Sequence, residues 1–150
     1  MRAVLDPNVL ISAVLSSTGA PAQVLSHWRA GAFDLVVSDR LLDELGRALR
    51  YPKLRSRITP AEAADLVRLL QAAGVVALDP PEPPRRSPDP GDDYLIALAE
   101  AERALLVSGD QHLLGLAAAF PIRSAAQFLD LLRPEPGALI TAAPRAVSPG

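Results

Sequence analysis

The sequence predicts an α/β fold in which helices cover both faces of a mainly parallel sheet. Two observations predict it. Short aliphatic runs alternate along the chain with longer segments of helical periodicity, and residues that favour a helix start follow several of those runs. A connection between parallel strands must cross over the sheet, and it usually carries a helix. The alternation therefore indicates a parallel sheet.

The composition is typical of a single globular domain. Of the 150 residues, 49% are hydrophobic and only 4% are aromatic, so aliphatic side chains are expected to fill the core. The chain has no cysteine, which is compatible with a reducing cytoplasm and removes thiolate as a metal ligand. Asp6 interrupts the apolar start, and no apolar run approaches the roughly 18 residues of a membrane span. We expect a soluble, cytoplasmic protein with no membrane association.

The first half of the chain is expected to begin with a strand and continue through helices. Asp6 followed by Pro7 favours a helix start, Gly31 favours a helix end, and Ser38 with Asp39 offers caps for the next helix. The expected elements are a strand at residues 2–5, helices at 7–15 and 21–30, a strand at 34–37 and a helix at 39–50.

The second half resumes the alternation around a proline-rich segment. Residues 80–90 contain six prolines, which exclude a helix or a central strand and predict a stiff, exposed connection. Gly74 favours the end of the preceding helix. The expected elements are a helix at 60–73, strands at 75–78 and 104–107, a helix at 92–102, a short helix after Asp110, a strand near Ile122 and a helix from Ser124 to Leu132.

Four carboxylates occupy positions that a parallel sheet could bring together. Asp6 and Asp110 each follow a predicted strand, so parallel pairing places both at the carboxyl edge, where such sheets bind ligands. Glu44 lies on a helix and Asp92 opens another. A site built only from oxygen ligands suits a hard divalent cation and phosphodiester hydrolysis.

Helical phase selects Glu44 and Asp92 among neighbouring acids. Glu44 flanks the apolar stripe of its helix, whereas Asp43 points away from the stripe. In the later helix the same argument places Asp92 above the stripe and turns Asp93 outward. Each acid also has a plainer explanation, because Asp6, Asp92, Asp93 or Asp110 could cap a helix and Glu44 could be a solvated helix residue. Like charges clustered without a cation are costly, and this cost favours the site.

A local basic segment stands out against the net charge of −2, which gives no overall attraction to nucleic acid. It contains no acidic residue and could serve RNA or a partner, although cations near a helix end are also common on a solvated surface. Its members are Arg47, Arg50, Lys53, Arg55 and Arg57.

Four segments carry a resemblance to a known family. The opening VLDPNVLISA, the segment LVVSDRLLDEL, the stretch DPGDDYLIALA and the later LLVSGDQHLL together resemble a PIN-domain nuclease, particularly the VapC-like toxins of type II toxin-antitoxin pairs. The first and last segments are the more specific. The resemblance covers residues 1–132 and leaves residues 133–150 as a Pro- and Ala-containing tail that we expect to be flexible.

The resemblance implies a three-layer α/β/α fold, Mg²⁺- or Mn²⁺-dependent cleavage of RNA, a cognate antitoxin partner and a homodimer. It carries the catalytic and metal-binding roles onto Asp6, Glu44, Asp92 and Asp110. It adds Asn8 and Ser108 as supporting polar groups, with Asp93 as the acid beside Asp92. His112 stands where relatives often have another acid.

Other readings remain open. An aspartyl-phosphate phosphatase or receiver protein also places acids at strand ends, but the phosphatase needs a second Asp where Asn8 stands, and both usually use a lysine, of which Lys53 is the only one. A noncatalytic module that retains the fold is a third reading. Zinc is disfavoured because the chain has no cysteine and only two histidines, His27 and His112, without ligand spacing.

Overall fold

A computed structural model describes residues 1–81 and 83–133. Glu82 and residues 134–150 lie outside the described residues, and so does the predicted tail except for Arg133. In sequence order the helices are α1 to α8 and the strands β1 to β5. The first half contains β1 (Arg2–Leu5), α1 (Pro7–Leu15), α2 (Ala20–Arg29), β2 (Asp34–Ser38), α3 (Asp39–Leu49) and α4 (Pro52–Arg55).

The second half contains α5 (Pro60–Ala73), β3 (Val75–Ala77), α6 (Asp93–Ala101), β4 (Leu105–Val107), α7 (Gln111–Leu114), β5 (Ile122–Arg123) and α8 (Ala125–Leu132). A 3₁₀ turn, Pro90–Asp92, precedes α6. The predicted elements are confirmed to within two residues at most ends. One helix was not predicted: Pro52 occupies the first turn of α4, where its missing N–H costs nothing.

The strands form one parallel sheet with the order β3-β2-β1-β4-β5. Helices complete a three-layer α/β/α fold: α1 packs against α2 and α3, α3 packs against α5, and α6 packs against β1 and β4. The fold prediction is confirmed. Because the chain goes to β2 and β3 on one side of β1 and to β4 and β5 on the other, the connections diverge between β1 and β4.

Aliphatic side chains fill the core, as the composition predicts. Val4, Leu35 and Leu106, from three neighbouring strands, are completely buried. Trp28 and Phe33 are buried as well and belong to the core. In the described ranges no single helix is long and apolar enough to cross a membrane, although α1 and α2, bent by 97°, would pass that length and composition test as a pair.

Capping residues fix where the helices begin at the carboxyl edge of the sheet. Ser38 Oγ accepts a hydrogen bond from Leu41 N at 3.3 Å, at the start of α3. At the starts of α5 and α8, Thr59 and Ser124 each form a capping box with the third helical residue. The Ser38 cap sets the start of α3 and hence the place of Glu44 on it.

Candidate active site

Asp6 and Ser108 meet where the strand connections diverge. Asp6 follows β1 and Ser108 follows β4, and these strands are neighbours. Asp6 N donates to the carbonyl oxygen of Val107 at 2.9 Å, and Ser108 Oγ donates to Asp6 Oδ2 at 2.9 Å. Both side chains are buried. The parallel pairing predicted for the two strands thus holds their polar ends in direct contact.

The second oxygen of Asp6 caps α1, since Asn8 N donates to Asp6 Oδ1 at 3.0 Å. Burial is the largest influence on this carboxyl and raises its pKa. The hydrogen bonds from Asn8 and Ser108 lower the pKa, and the negative charges of Glu44 and Asp110 raise it. Asp6 is therefore both a helix cap and a member of a group of acids.

Asp92 is the most strongly perturbed of the four acids. Burial and the negative charges of Asp6, Asp89, Asp110 and Glu44 raise its pKa from 3.8 to about 7. Its Oδ2 atom is buried, and within residues 1–81 and 83–133 it has no hydrogen-bond partner. Asp92 does not cap α6 with its side chain. The capping explanation for this residue is therefore wrong.

Glu44 is held by Tyr94 of α6. The Tyr94 hydroxyl donates a hydrogen bond to Glu44 Oε2, joining residues that are 50 positions apart. Burial and this carboxylate raise the pKa of Tyr94, so the phenol remains protonated and remains a donor. The Arg40 guanidinium lies 4.3 Å from the centre of the Tyr94 ring. Tyr94 and Arg40 are site residues that the sequence pattern did not reveal.

Asp110 caps the short helix α7, because His112 N donates to Asp110 Oδ1 at 2.8 Å. Asp110 N donates to Ser108 Oγ at 3.0 Å, so the Ser108 hydroxyl connects the Asp110 backbone to the Asp6 carboxylate. His112 Nδ1 lies 3.8 Å from Asp110 Oδ1 on an exposed side chain. The structure thus places Asp110 beside Ser108 and within electrostatic reach of Asp6 and Asp92.

Asp93 does not point outward, and that prediction is wrong. Its side chain is only 2% exposed, and its Oδ1 accepts hydrogen bonds from Arg86 N at 3.0 Å and Ser87 N at 2.7 Å. Arg85 Nε lies 3.7 Å from Asp93 Oδ2. Asp93 therefore anchors the proline-rich connection. The prediction that this connection is exposed is wrong at Ser87, which is buried.

The basic segment divides between two surfaces. Arg47 lines a cleft of about 450 Å³ together with Glu44, Asn8 and Arg40. Arg50 and Arg55 line a largely apolar groove of about 490 Å³ between α3 and α5, and Arg50 also lines a small cleft with Arg40 and Arg47. Lys53 and Arg57 are exposed around α4. Only Arg47 of the five lies beside the acids, and Arg40, one turn earlier on α3 than Glu44, joins it there.

The donor set fits a hard divalent cation by its chemistry. Among the described residues, no lysine or arginine forms an ion pair with Asp6, Glu44, Asp92 or Asp110, and exposed His112, 3.8 Å from Asp110 Oδ1, is the one ionisable nitrogen in such contact with them. The orphaned Asp92 oxygen adds a buried acceptor. In this conformation no three Asp, Glu or His side chains of the described chain are arranged to ligate one ion. The case for a cation thus rests on charge and desolvation.

Three comparisons relate the chain to known proteins. A family model described as PIN domain matches residues 2–112. An uncharacterized protein of Methanocaldococcus jannaschii is 26% identical over 118 residues, which is 77% of this chain and 75% of that protein. Residues 2–112, which the family model matches, contain all four acids.

Two solved structures share the fold. One is a chain of VapBC2 from Rickettsia felis, crystallised bound to a DNA fragment from its promoter. It has a TM-score of 0.57 at 13% identity, covering 83% of this chain and 98% of that chain. The other is a domain of a functionally unknown protein from Methanocaldococcus jannaschii, with a TM-score of 0.51 at 13% identity and coverage of 82% and 89%. At this identity the likeness concerns the fold.

Proposed function

The chain belongs to the PIN-domain family, and from that premise we propose that it is a divalent-metal-dependent endoribonuclease that acts in the cytoplasm. One observation carries the proposal: Asp92 has a buried oxygen without a hydrogen-bond partner among the described residues, and its pKa is raised to about 7 by burial and by the charges of four neighbouring acids. Desolvated acids gathered at a topological switch point are typical of a functional site.

In this proposal the four acids bind the metal, and neighbouring polar side chains hold two of the acids in position. Asp6, Glu44, Asp92 and Asp110 would hold Mg²⁺ or Mn²⁺, which when bound would neutralise phosphate charge and lower the pKa of water. Ser108 orients Asp6, and Tyr94 orients Glu44. Asn8 lies between two clefts, one shared with Glu44 and one with Asp110, where its amide can contact the substrate backbone.

The test is RNA cleavage by the purified full chain. We expect cleavage of a single-stranded RNA in Mn²⁺ or Mg²⁺, no cleavage in EDTA, and 5′-phosphate ends on the products. Asp6→Asn should lose at least about a hundredfold in rate, because the carboxylate charge is removed at nearly constant volume. Asp43→Asn is the matched control, since Asp43 is an exposed acid on the same helix as Glu44. Equal rates of RNA cleavage by Asp6→Asn and Asp43→Asn would show that Asp6 does not take part in catalysis.

A toxin-antitoxin role is the second part of the proposal. Its support is the family and the shared fold with a chain of the VapBC2 complex. We propose a cognate antitoxin partner, and a homodimer as the state of the free chain. Coexpression with the product of the neighbouring open reading frame should yield a stable complex and relieve growth arrest. Growth unaffected by expression of the chain alone would contradict the toxin role while leaving the nuclease role open to the cleavage test.

A further inference from the structure

A cleft of about 450 Å³ opens beside the acids and contains an exposed aromatic ring. It is lined by Asn8, Arg40, Glu44, Arg47, Tyr51 and Gly91. Its size falls within the range of clefts that bind small ligands. Gly91 is the sequence neighbour of Asp92, and the backbone N–H of Asn8 donates a hydrogen bond to Asp6 Oδ1. The cleft therefore lies next to the acids. A group bound there would be a direct neighbour of the phosphate at the proposed site.

Tyr51 is exceptional among the large aromatic residues in being exposed. Its exposed fraction is 61%, whereas Trp28, Phe33, Tyr94 and Phe128 are each 7% exposed or less and Phe120 is half-buried. The backbone around it is fixed, because Tyr51 N donates to Ala48 O at 3.1 Å and Leu54 N donates to Tyr51 O at 2.9 Å. The ring makes no capping hydrogen bond. An exposed aromatic ring on a hydrogen-bonded backbone, lining a cleft, is a surface on which a nucleobase can stack.

Two arginines supply positive charge in the same cleft. Arg40, Glu44 and Arg47 follow one another at spacings of four and three residues on α3, so they share one face of the helix. Arg40 is held against the Tyr94 ring. Because the whole chain has a net charge of −2, the attraction for an anionic ligand has to be local. The cleft therefore combines phosphate-binding groups with a stacking surface.

We propose that this cleft binds one nucleotide of single-stranded RNA next to the scissile bond, with its base stacked on Tyr51 and its phosphate held by Arg40 and Arg47. Single-stranded RNA is selected because paired bases are already stacked on their neighbours and leave no face for the ring. The inference rests on the proposed nuclease function for the identity of the substrate. It adds the side chain on which a base stacks and the two arginines that hold the phosphate of that nucleotide.

The experiment measures binding without cleavage. A fluorescein-labelled 12-nucleotide oligouridylate is titrated with the full chain in EDTA, and Kd is read from fluorescence anisotropy. Tyr51→Ala should raise Kd about fivefold or more, and Tyr51→Phe should bind as the wild-type protein does, since it keeps the ring. Arg47→Ala should raise Kd and reduce the salt dependence of binding. An oligouridylate annealed to its complement should bind more weakly and be insensitive to Tyr51→Ala.

Two control variants remove comparable groups elsewhere. Leu131→Ala removes an exposed apolar side chain on α8, and Arg29→Ala removes an exposed arginine at the end of α2. Both should bind oligouridylate with the wild-type Kd. All variants should melt with the wild-type protein, because the side chains are exposed.

Three results would contradict the proposed subsite. The first is an unchanged Kd in Tyr51→Ala, and the second is a Kd raised as much in Tyr51→Phe as in Tyr51→Ala. The third is a duplex that binds as tightly as the single strand and more weakly to Tyr51→Ala. Failure of the nuclease proposal is distinguishable from these. It would appear as no RNA cleavage in Mn²⁺ by a wild-type protein whose oligouridylate binding still depends on Tyr51.

Discussion

At the scale of single residues, Asp92 shows the cost of gathering acids at a sheet edge. The folded chain places its carboxyl among four other acids and leaves one oxygen without a partner in the described part of the chain. An isolated buried carboxylate is unfavourable, and the molecule responds by keeping the proton to higher pH. Asp92 is therefore a residue whose charge lowers the stability of the metal-free protein.

That cost predicts a pH dependence of stability in EDTA. Between pH values near 4 and near 7, folded Asp92 holds a proton that the unfolded chain releases, because its pKa rises from 3.8 to about 7 on folding. Raising the pH through this range therefore favours unfolding. We expect the melting temperature of Asp92→Asn to fall less than that of the wild-type protein from pH 4 to pH 7.

Calorimetry or circular dichroism at several pH values measures this difference. Asp43→Asn, which removes an exposed acid, should follow the wild-type curve. Parallel curves for the wild-type protein and Asp92→Asn would show that Asp92 titrates normally.

Residue-level prediction succeeded where backbone pairing alone decides the position. Asp6 and Asp110 follow neighbouring parallel strands, and the structure links the Asp6 carboxylate to the Asp110 backbone through Ser108. It failed for Asp93, because α6 is buried over all of residues 93–99 and has no outward face. The amides that Asp93 accepts come from Arg86 and Ser87, and the contact of Glu44 with Tyr94 spans 50 positions. Periodicity within one helix contains no information about such partners.

At the scale of elements, two glycines have opposite roles. Gly74 ends α5, and a Cβ there would lie 2.5 Å from Leu70 O and 3.3 Å from Leu35 O. Gly46 lies in the middle of α3, and a Cβ there would meet nothing within 4 Å. We expect Gly74→Ala to lower the free energy of unfolding by about 1–3 kcal/mol, and Gly46→Ala to raise it by up to about 1 kcal/mol.

Urea unfolding of the two variants and the wild-type protein measures both changes, and each variant serves as the control for the other. A stabilised Gly74→Ala would mean that Gly74 does not lie as close to the carbonyl oxygens of Leu70 and Leu35 as described. The element prediction was accurate because caps and helix ends are local signals. The sequence prediction lacks α4 because Pro52 is compatible both with the end of α3 and with the first turn of a new helix.

At the scale of the whole molecule, metal binding should stabilise the fold. The acids come from segments that the unfolded chain separates, so a cation that they share would bind the folded state selectively. At a Mn²⁺ concentration of about 100 times Kd, the melting temperature should rise on the order of 5–10 °C.

Differential scanning calorimetry in Mn²⁺ and in EDTA measures this shift. The melting temperature of Asp6→Asn should rise less in Mn²⁺ than that of the wild-type protein, and the melting temperature of Asp43→Asn should rise as much as that of the wild-type protein. A wild-type melting temperature that is indifferent to millimolar Mn²⁺ would contradict the metal site and favour a noncatalytic module.

The sheet ends in very short outer strands. β3 has three residues and β5 has two, so few backbone amides and carbonyls on either side are free to pair with another chain. Edge strands this short disfavour the pairing of sheets from different molecules that leads to fibrils. Assembly with other polypeptides is thereby directed to the helical surfaces, which can associate without extending the sheet.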